Sequence, residues 1–314
     1  MAQQAWVLRQ FDPNFFSLKL GPEEIWIHFL RFSGKRQQVD REVFRHLDGS
    51  ELALPRKNLA GMDCFVLPPQ KLAFFHPPLP GRKLDFGAPQ DCEDAVRFLA
   101  AFHLAGQDFS CAPLPHVTLG RETELWEKRL RRLHEFARIA KGRLFPGSID
   151  RAFLERFTVL DRQIGNGLQK LKDSSYEALC ARGGQLCYYH FRPEFFWRWE
   201  GRLAPWHFAF CHWDLPVVDL YRLLAKIYRK HEQSGLLFRL IELYRATRPI
   251  GREEIKILQA LISLPDKMYR TVAAFYLNRS AKSPRRQLAR IEKEAALTEE
   301  RLRLAGELGL LVND

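Results

Sequence analysis

The sequence predicts an α+β protein in which a small β-rich N-terminal part precedes a larger, mainly helical part. Over roughly the first seventy residues, short extended segments are separated by turn residues. From Asp91 onward, apolar residues recur at spacings of three and four, which is typical of amphipathic helices. With 314 residues, 46% of them hydrophobic, the chain is long enough to bury one large core or two lobes.

Three segments near the N-terminus predict strands. They read AWVLRQF, FFSLKL and EEIWIHFLRF, and Asp-Pro-Asn and Gly-Pro turns separate them. The following REVFRHL predicts one helix. We therefore assign residues 1–72 to an N-terminal β-rich lobe.

A proline-rich stretch, PPQKLAFFHPPLPG from Pro68 to Gly81, follows this lobe. Proline fixes φ and removes a backbone donor, so the stretch disfavours helix and stiffens the chain. We predict a hinge at residues 73–82 and a helical C-terminal lobe over residues 83–314.

Several segments of the second lobe have helical periodicity, among them CEDAVRFLAAFH, the basic stretch from Glu127 to Arg143, and VDLYRLLAKIYRKH. Ser283 before Pro284 predicts the start of a long final helix, with the serine hydroxyl as its cap. Between these helices lies one irregular segment, residues 186–215, which we expect to line a cleft.

The chain carries a formal net charge of +12, which favours acidic partners through attraction that salt weakens. No nucleic-acid-binding motif accompanies the charge, which disfavours nucleic acid as the partner. The six cysteines lack CxxC spacing and the N-terminus lacks a signal-like segment, so we expect synthesis in a reducing, cytoplasmic compartment. No apolar run approaches the roughly 18 residues of a membrane span, which predicts a soluble protein.

A set of motifs carries a resemblance to a known family. The motifs are PGRKLDFGAP, LRRLHEFARIA, SSYEALC, DLPVVDL, and RPIGREEIKILQALISLPDKMYR followed by SPRR. Their order and spacing resemble the CotS family of spore-coat proteins, which is similar to the aminoglycoside phosphotransferase and choline kinase branch of the protein-kinase-like fold. The likeness covers nearly everything after Val66. It implies a bilobal kinase-like fold, synthesis in the mother cell, residence in the spore coat, and other coat proteins as partners.

The resemblance also locates the positions of a phosphotransferase site. The family's kinase relatives have a His-Gly-Asp catalytic loop, an Asn five positions beyond the Asp, and a metal-binding Asp before the DLPV-like segment. Here the loop reads Tyr-Tyr-His and ends at His190, Phe195 stands at the Asn position, and His207, seven positions before Asp214, stands at the metal Asp position. Phosphoryl transfer requires positioned carboxylate oxygens for magnesium and a cation for the phosphates.

The nucleotide end of the site departs from the pattern as well. The resemblance implies a phosphate-pairing Lys on EEIWIHFLRF, but this segment has His28 and Phe29 at the corresponding position, and Lys19 lies one strand earlier. No glycine-rich loop is present in DPNFFSLKLGP. Because neither imidazole nor a phenyl ring replaces an anionic oxygen ligand of magnesium, we expect no nucleotide or metal cofactor.

Two further interpretations concern the irregular segment. Its large aromatic residues predict interior packing, with a stacking platform for bases or sugars as the alternative; they are Phe191, Phe195, Phe196, Trp197, Trp199 and Trp206. His190 and His207, with Cys187, Cys211 and His212 nearby, are candidates for a transition-metal site, although no CxxC or HxxxH spacing supports one. Cys187 and Cys211 are also candidate nucleophiles, against buried thiols as the alternative.

The leading hypothesis is therefore a catalytically inactive, kinase-like component of the spore coat. One alternative is a small-molecule phosphotransferase that uses Glu194, Asp214 and Lys19. A second alternative is a basic adaptor for an anionic polymer. We expect Asp219 to act structurally near a helix start, where a carboxylate suits the helix dipole.

Overall fold

The computed structural model describes residues 6–12, 14–31, 34–56, 64–67, 71–110, 118–277 and 283–309. The chain divides into two compact units. The first contains Met1–Val117, Gln185–Trp213 and Arg239–Arg248, and the second contains Thr118–Gly184, Asp214–Phe238 and Pro249–Asp314.

The strands of the described residues lie mainly in the first unit. They are β1 (Trp6–Asp12), β2 (Phe15–Leu20), β3 (Glu23–Arg31), β4 (Cys64–Leu67), β5 (Lys71–His76), β6 (Arg82–Lys83), β7 (Gln185–Cys187), β8 (Phe196–Trp199), β9 (Arg202–Pro205) and β10 (His212–Asp214). An antiparallel five-stranded sheet has the order β1-β2-β3-β5-β4. Strands β6, β8 and β9 form a second sheet, and β7 pairs with β10. The three predicted N-terminal strands are confirmed.

The helices account for most of the remaining described residues. They are α1 (Gly34–Leu47), α2 (Pro89–Ala105), α3 (Glu122–Lys141), α4 (Ser148–Asp173), α5 (Tyr176–Ala181), α6 (Pro216–His231), α7 (Ser234–Thr247), α8 (Arg252–Ser263), α9 (Asp266–Tyr276) and α10 (Pro284–Leu308). None of these helices is both long and apolar enough to cross a bilayer.

The predicted hinge at residues 73–82 overlaps a strand, because β5 runs from Lys71 to His76 and pairs with both β3 and β4. The prolines flank the KLAFFH run without interrupting it, so each strand donor in the run is retained. The division of the chain into lobes at residue 72 stays a prediction.

A buried carboxylate joins β6, β8 and the start of α2. Asp91 accepts hydrogen bonds from Arg82 at 2.6 and 2.7 Å, from Arg198 at 2.9 Å and from the Asp85 N–H at 2.8 Å. Burial opposes ionisation of Asp91, but these bonds outweigh it and hold the pKa of the carboxyl below its usual value. Gly81 lies beside the group with φ +139°, and an added Cβ would lie 2.0 Å from the Arg198 carbonyl oxygen. Only glycine fits at that position.

The second unit is a helical assembly in which α4 packs against α3, α8 and α10. Gly167 of α4 permits close approach to the α8–α9 turn, since an added Cβ would lie 2.7 Å from Leu264 Cδ2. Helix α10 begins at Pro284, as predicted, but the hydroxyl of Ser283 makes no capping hydrogen bond. The carbonyl of Ser283 instead accepts the first helical hydrogen bond, from the Gln287 N–H at 3.1 Å.

Among the side chains that the structure describes, those of Cys92, Cys180, Cys187 and Cys211 form no disulfide bond. Burial raises the pKa of Cys92 to about 12 and that of Cys180 to about 11. Cys111 lies outside the described residues. Cys187 and Cys211 are almost fully buried, which argues against either as an accessible nucleophile.

Candidate functional site

The positions that the resemblance assigns to phosphoryl transfer lie in the first unit and are surrounded by aromatic rings. His207 is fully buried and Phe195 is 6% exposed. The His207 imidazole meets the Phe195 ring edge-on at 4.7 Å between centroids and stacks on Phe74 of β5 at 5.7 Å. Both His207 and His190 contact Phe210, at 5.4 and 4.8 Å. The two histidines therefore pack on the same pair of phenyl rings, Phe195 and Phe210.

Two further imidazoles come from the five-stranded sheet. Strand register sets His28 of β3 opposite Phe15 on one side and Phe74 on the other. The His28 ring lies 6.4 Å from His207 and 5.4 Å from Trp206. His76, at the end of β5, meets Trp206 edge-on at 4.9 Å. We call the whole set the ring cluster; it comprises His28, Phe74, His76, His190, Phe195, Trp206, His207 and Phe210.

Burial keeps two of these imidazoles neutral. Desolvation is the main cause that lowers the pKa of His76 to about 3, and repulsion from the nearby Arg56 guanidinium contributes to the same shift. Desolvation likewise lowers the pKa of His207 well below its usual value, with repulsion from His28 and Arg56 adding to the effect. His207 Nδ1 accepts a hydrogen bond from the Ala209 N–H at 3.3 Å. At neutral pH His207 is thus an uncharged hydrogen-bonding group inside an aromatic shell.

One buried ion pair lies beside the ring cluster. Arg56 forms two hydrogen bonds to Asp40 of α1, at 2.6 and 2.9 Å, and the two side chains are 3% and 0% exposed. Asp40 also accepts the Phe208 N–H at 2.6 Å. The Arg56 guanidinium lies over the rings of Phe44 and Phe74, at 4.1 and 4.9 Å. Both oxygens of Asp40 are therefore already engaged.

Sequence reasoning missed Asp40 and Arg56. A signal was available for the acid, because Asp40 stands between Val39 and Val43 on the buried face of α1. A charged residue on an apolar helix face requires a buried partner. Nothing in the sequence identified Arg56 as that partner.

Further contacts hold the segment from His207 to Phe210. The Tyr188 hydroxyl donates to the His207 carbonyl at 3.1 Å. Arg36 donates to the Ala209 carbonyl at 3.4 Å, and its guanidinium covers the Phe210 ring at 4.7 Å. Together with the bond from Phe208 to Asp40, these contacts attach consecutive residues of the segment to its surroundings.

The aromatic residues of the irregular segment pack in the interior, as predicted. Phe191, Phe195, Phe196, Trp197 and Trp206 are buried, and Trp199 is partly buried against an apolar cluster. The rings of Phe191 and Phe196 stack at 4.0 Å between centroids. Because Phe191 and Phe196 are almost fully buried, they offer no exposed face to a base or sugar.

The ring cluster does not fit a magnesium nucleotide. The positions assigned to metal ligands hold a phenyl ring and a neutral imidazole, whereas magnesium binds oxygen. Across the described residues, neither His190 nor His207 belongs to a group of three or more His, Cys, Asp or Glu side chains close enough to share a metal ion. No phosphoryl-transfer step can be derived from these residues.

The residues of the phosphotransferase alternative and Asp219 lie in different surroundings. Asp214 is fully buried and accepts hydrogen bonds from the Leu215 N–H at 2.9 Å, the Thr118 hydroxyl at 2.9 Å and Arg222 at 3.2 Å. Asp219 is buried in the first turn of α6. Glu194 is exposed beside Arg192, and Lys19 is exposed on β2. These contacts favour structural roles for both aspartates.

A family model described as "Spore coat putative kinase YutH" matches residues 83–305. Among curated proteins no match is found.

Solved structures with the same fold cover almost the whole chain. An aminoglycoside phosphotransferase from Alicyclobacillus acidocaldarius has a TM-score of 0.82 at 17% identity, over 98% of this chain and 93% of that one. A microcompartment-associated aminopropanol kinase has a TM-score of 0.63 at 14% identity, over 99% and 95%. A choline/ethanolamine kinase family protein from Mesorhizobium loti has a TM-score of 0.58 at 11% identity, over 98% and 94%. These similarities confirm the predicted α+β fold of the bilobal, protein-kinase-like class.

Proposed function

Because the chain belongs to the spore-coat kinase family whose model spans residues 83–305, we propose that it is a kinase-like coat protein without phosphotransferase activity. It is made in the mother cell and acts by binding other coat proteins. The chain has the fold of phosphotransferases, but the residues at the corresponding site do not suit phosphoryl transfer.

The observation that carries the proposal is the burial of His207 among Phe74, Phe195 and Phe210. A metal-binding carboxylate has to face an ion and its phosphates, which requires open, polar space. A neutral imidazole enclosed by rings supplies neither the charge nor the space.

The test is the effect of nucleotide on thermal unfolding. A ligand that binds only the folded state raises the unfolding midpoint by mass action. We expect millimolar ATP or ADP with magnesium to leave the midpoint where an equal ionic strength of salt leaves it. A saturable rise that requires magnesium would contradict the proposal, and a nucleotide-binding kinase measured in parallel shows that the assay detects binding.

A functioning small-molecule phosphotransferase is the alternative that the names of the solved neighbours favour. It predicts release of ADP from ATP in the presence of an amino alcohol or aminoglycoside, with the rate reduced by Glu194→Gln or Asp214→Asn. Because Asp214 holds a structural network, Glu194 is the cleaner variant. If ATP turnover persists in both variants, Glu194 and Asp214 are not required and this mechanism is excluded.

The loop between α3 and α4 supports association with other proteins. Leu144 and Phe145 are each 86% exposed. The loop is nevertheless held in place, since Arg143 pairs with buried Asp150 at 2.8 and 3.0 Å and Arg151 donates to the Pro146 carbonyl at 2.7 Å. Two large apolar side chains on an ordered loop are suited to insert into a partner's pocket at a small entropy cost.

The chemistry of that partner follows from the charge around the loop. Arg138, Lys141 and Arg151 are exposed close to it in sequence. We propose that the occupant is a coat protein with an apolar pocket and an acidic rim. An anionic polymer, the ligand of the basic-adaptor alternative, would bind through the charges alone, so its binding would fall steeply with salt and would not require Leu144 or Phe145.

A further inference from the structure

A pocket lies in the second unit, where α6, α9 and α10 surround the end of α8. Its lining includes Leu224 of α6, Leu237, Leu264 and Leu304 of α10, all of which are almost fully buried. The pocket has a cavity volume of about 40 Å³ for water-sized molecules and opens to solvent at one side. None of its lining residues belongs to the ring cluster.

The same lining carries an excess of positive charge. Arg229 of α6 and Lys267 of α9 both line the pocket and are partly buried. Burial lowers the pKa of each, and repulsion from Arg229 lowers that of Lys267 further. Two cations thus lie close together in a partly desolvated position, which costs free energy unless an anion is present.

The nearby acids are already paired with other cations. Asp266, which also lines the pocket, pairs with Arg129 at 2.9 Å and with Arg270 at 3.0 Å. Glu294 pairs with Arg301 at 2.7 Å. In the part of the chain that the structure describes, the side chains of Arg229 and Lys267 form no ion pair of their own with either acid. The charge of these two cations is therefore available to a ligand.

Hydrogen-bond donors complete the lining. Tyr221 and Tyr228 of α6 face the same space. Burial raises the pKa of both phenols, so each keeps its proton at neutral pH. The Arg301 guanidinium lies 5.9 Å from the Tyr228 ring centroid. The polar part of the pocket thus consists mainly of groups that donate to an acceptor.

We propose that this pocket binds an amphipathic anion, with a carboxylate held between Arg229 and Lys267 and a slender apolar body against the leucines. A cation is disfavoured by the unpaired positive charge, and a small inorganic anion would leave the apolar floor unused. A neutral alcohol with an apolar chain of the same length as the anion's would cover the apolar floor but would leave Arg229 and Lys267 without a counter-charge. The pocket therefore favours a molecule that carries both a negative charge and an apolar chain.

The experiment compares three probes on the full chain: decanoate, 1-decanol and acetate. Calorimetric titration and the thermal unfolding midpoint serve as readouts, below the concentration at which decanoate forms micelles. We expect saturable, one-site binding of decanoate with a rise in the midpoint, and weaker binding of decanol and acetate by at least about tenfold. No saturable binding of decanoate, or equal binding of decanol, overturns the proposal.

Variants locate the site. Lys267→Gln and Arg229→Gln each remove one charge from the pocket, and we expect about a tenfold loss of decanoate affinity from each. Lys230→Gln removes an exposed charge next to Arg229 that does not line the pocket, and it should leave the affinity unchanged. Ala225→Leu places two methyl groups and a methine in the lining and should block the apolar body.

Each outcome counts for or against the site. If Lys230→Gln reduces affinity as much as Lys267→Gln does, decanoate responds only to net charge and the proposal fails. If Ala225→Leu folds and still binds with unchanged affinity, the apolar body lies elsewhere and the proposal fails. If Ala225→Leu does not fold, the comparison of Lys267→Gln with Lys230→Gln still tests whether decanoate binds in this pocket.

Discussion

Asp40 and Arg56 form a buried, two-bond ion pair, and Asp40 also accepts the N–H of Phe208 at 2.6 Å. This relationship ties α1 to the residue that follows His207. The pair therefore holds the ring cluster in its packed arrangement. An open, metal-binding arrangement of His207 would require this network to change.

Replacing Asp40 with alanine is expected to destabilise the protein by about 3–5 kcal/mol, because it leaves the Arg56 charge buried and unpaired. Urea unfolding followed by circular dichroism measures the change. The matched double variant Asp40→Leu with Arg56→Met removes both charges and should recover much of the loss. If the double variant is as unstable as Asp40→Ala, the unpaired charge is not the cause.

Replacing Phe195 with asparagine, the residue that the kinase pattern has there, is expected to cost about 3 kcal/mol or more. The substitution opens a cavity beside His207 and buries an amide among rings. Phe195→Leu keeps the site apolar and should cost about 1–2 kcal/mol less. A stable Phe195→Asn variant that gains a magnesium-dependent response to ATP would show that the site is a nucleotide cleft.

Acidification is expected to destabilise the protein in part through His76. The folded pKa of His76 is about 3 and the ordinary value is 6.5, so the unfolded state binds a proton that the folded state does not. The stabilising contribution is complete above pH 6.5 and is lost as the pH falls toward 3. The slope contributed by one such group reaches about 1.4 kcal/mol per pH unit.

The variant His76→Gln tests this linkage. It loses the titrating group and the bond to the Pro55 carbonyl, so it should be less stable than the wild type at pH 7.5. The gap between the two free energies of unfolding should narrow as the pH falls from 6.5 to 4. Parallel curves over this range would exclude His76 as a source of the acid sensitivity.

Replacing Leu144 and Phe145 with serine is expected to weaken binding to isolated spore coats by about tenfold or more, since exposed apolar anchors contribute most of the affinity of such contacts. The free energy of unfolding should change little, because both side chains are exposed. Val159→Ser, another exposed apolar position in the second unit, is the matched control. If the double substitution leaves binding to spore coats unchanged, the protein contacts the coat through another surface.

Local sequence patterns predicted several of the strands and helices. Alternation in FFSLKL and EEIWIHFLRF predicted β2 and β3, and apolar periodicity predicted α2 and α6. The prolines around KLAFFH give no signal for β5, whose strand conformation depends on pairing with β3 and β4. The cap expected from the Ser283 hydroxyl is absent even though the helix start is correct.

The sequence shows which residue types occupy the candidate site, but it does not show how their side chains are arranged. The residue types at His190, Phe195 and His207 already argue against magnesium, because side-chain chemistry does not depend on the fold. Contact between His28 and His207, and the bond from Phe208 to Asp40, join residues more than 160 positions apart. Such contacts depend on how strands and helices pack, since no local propensity specifies which distant side chains meet. The sequence alone specifies which side-chain types stand at these positions, whereas packing buries His207, keeps its imidazole neutral and encloses it in rings.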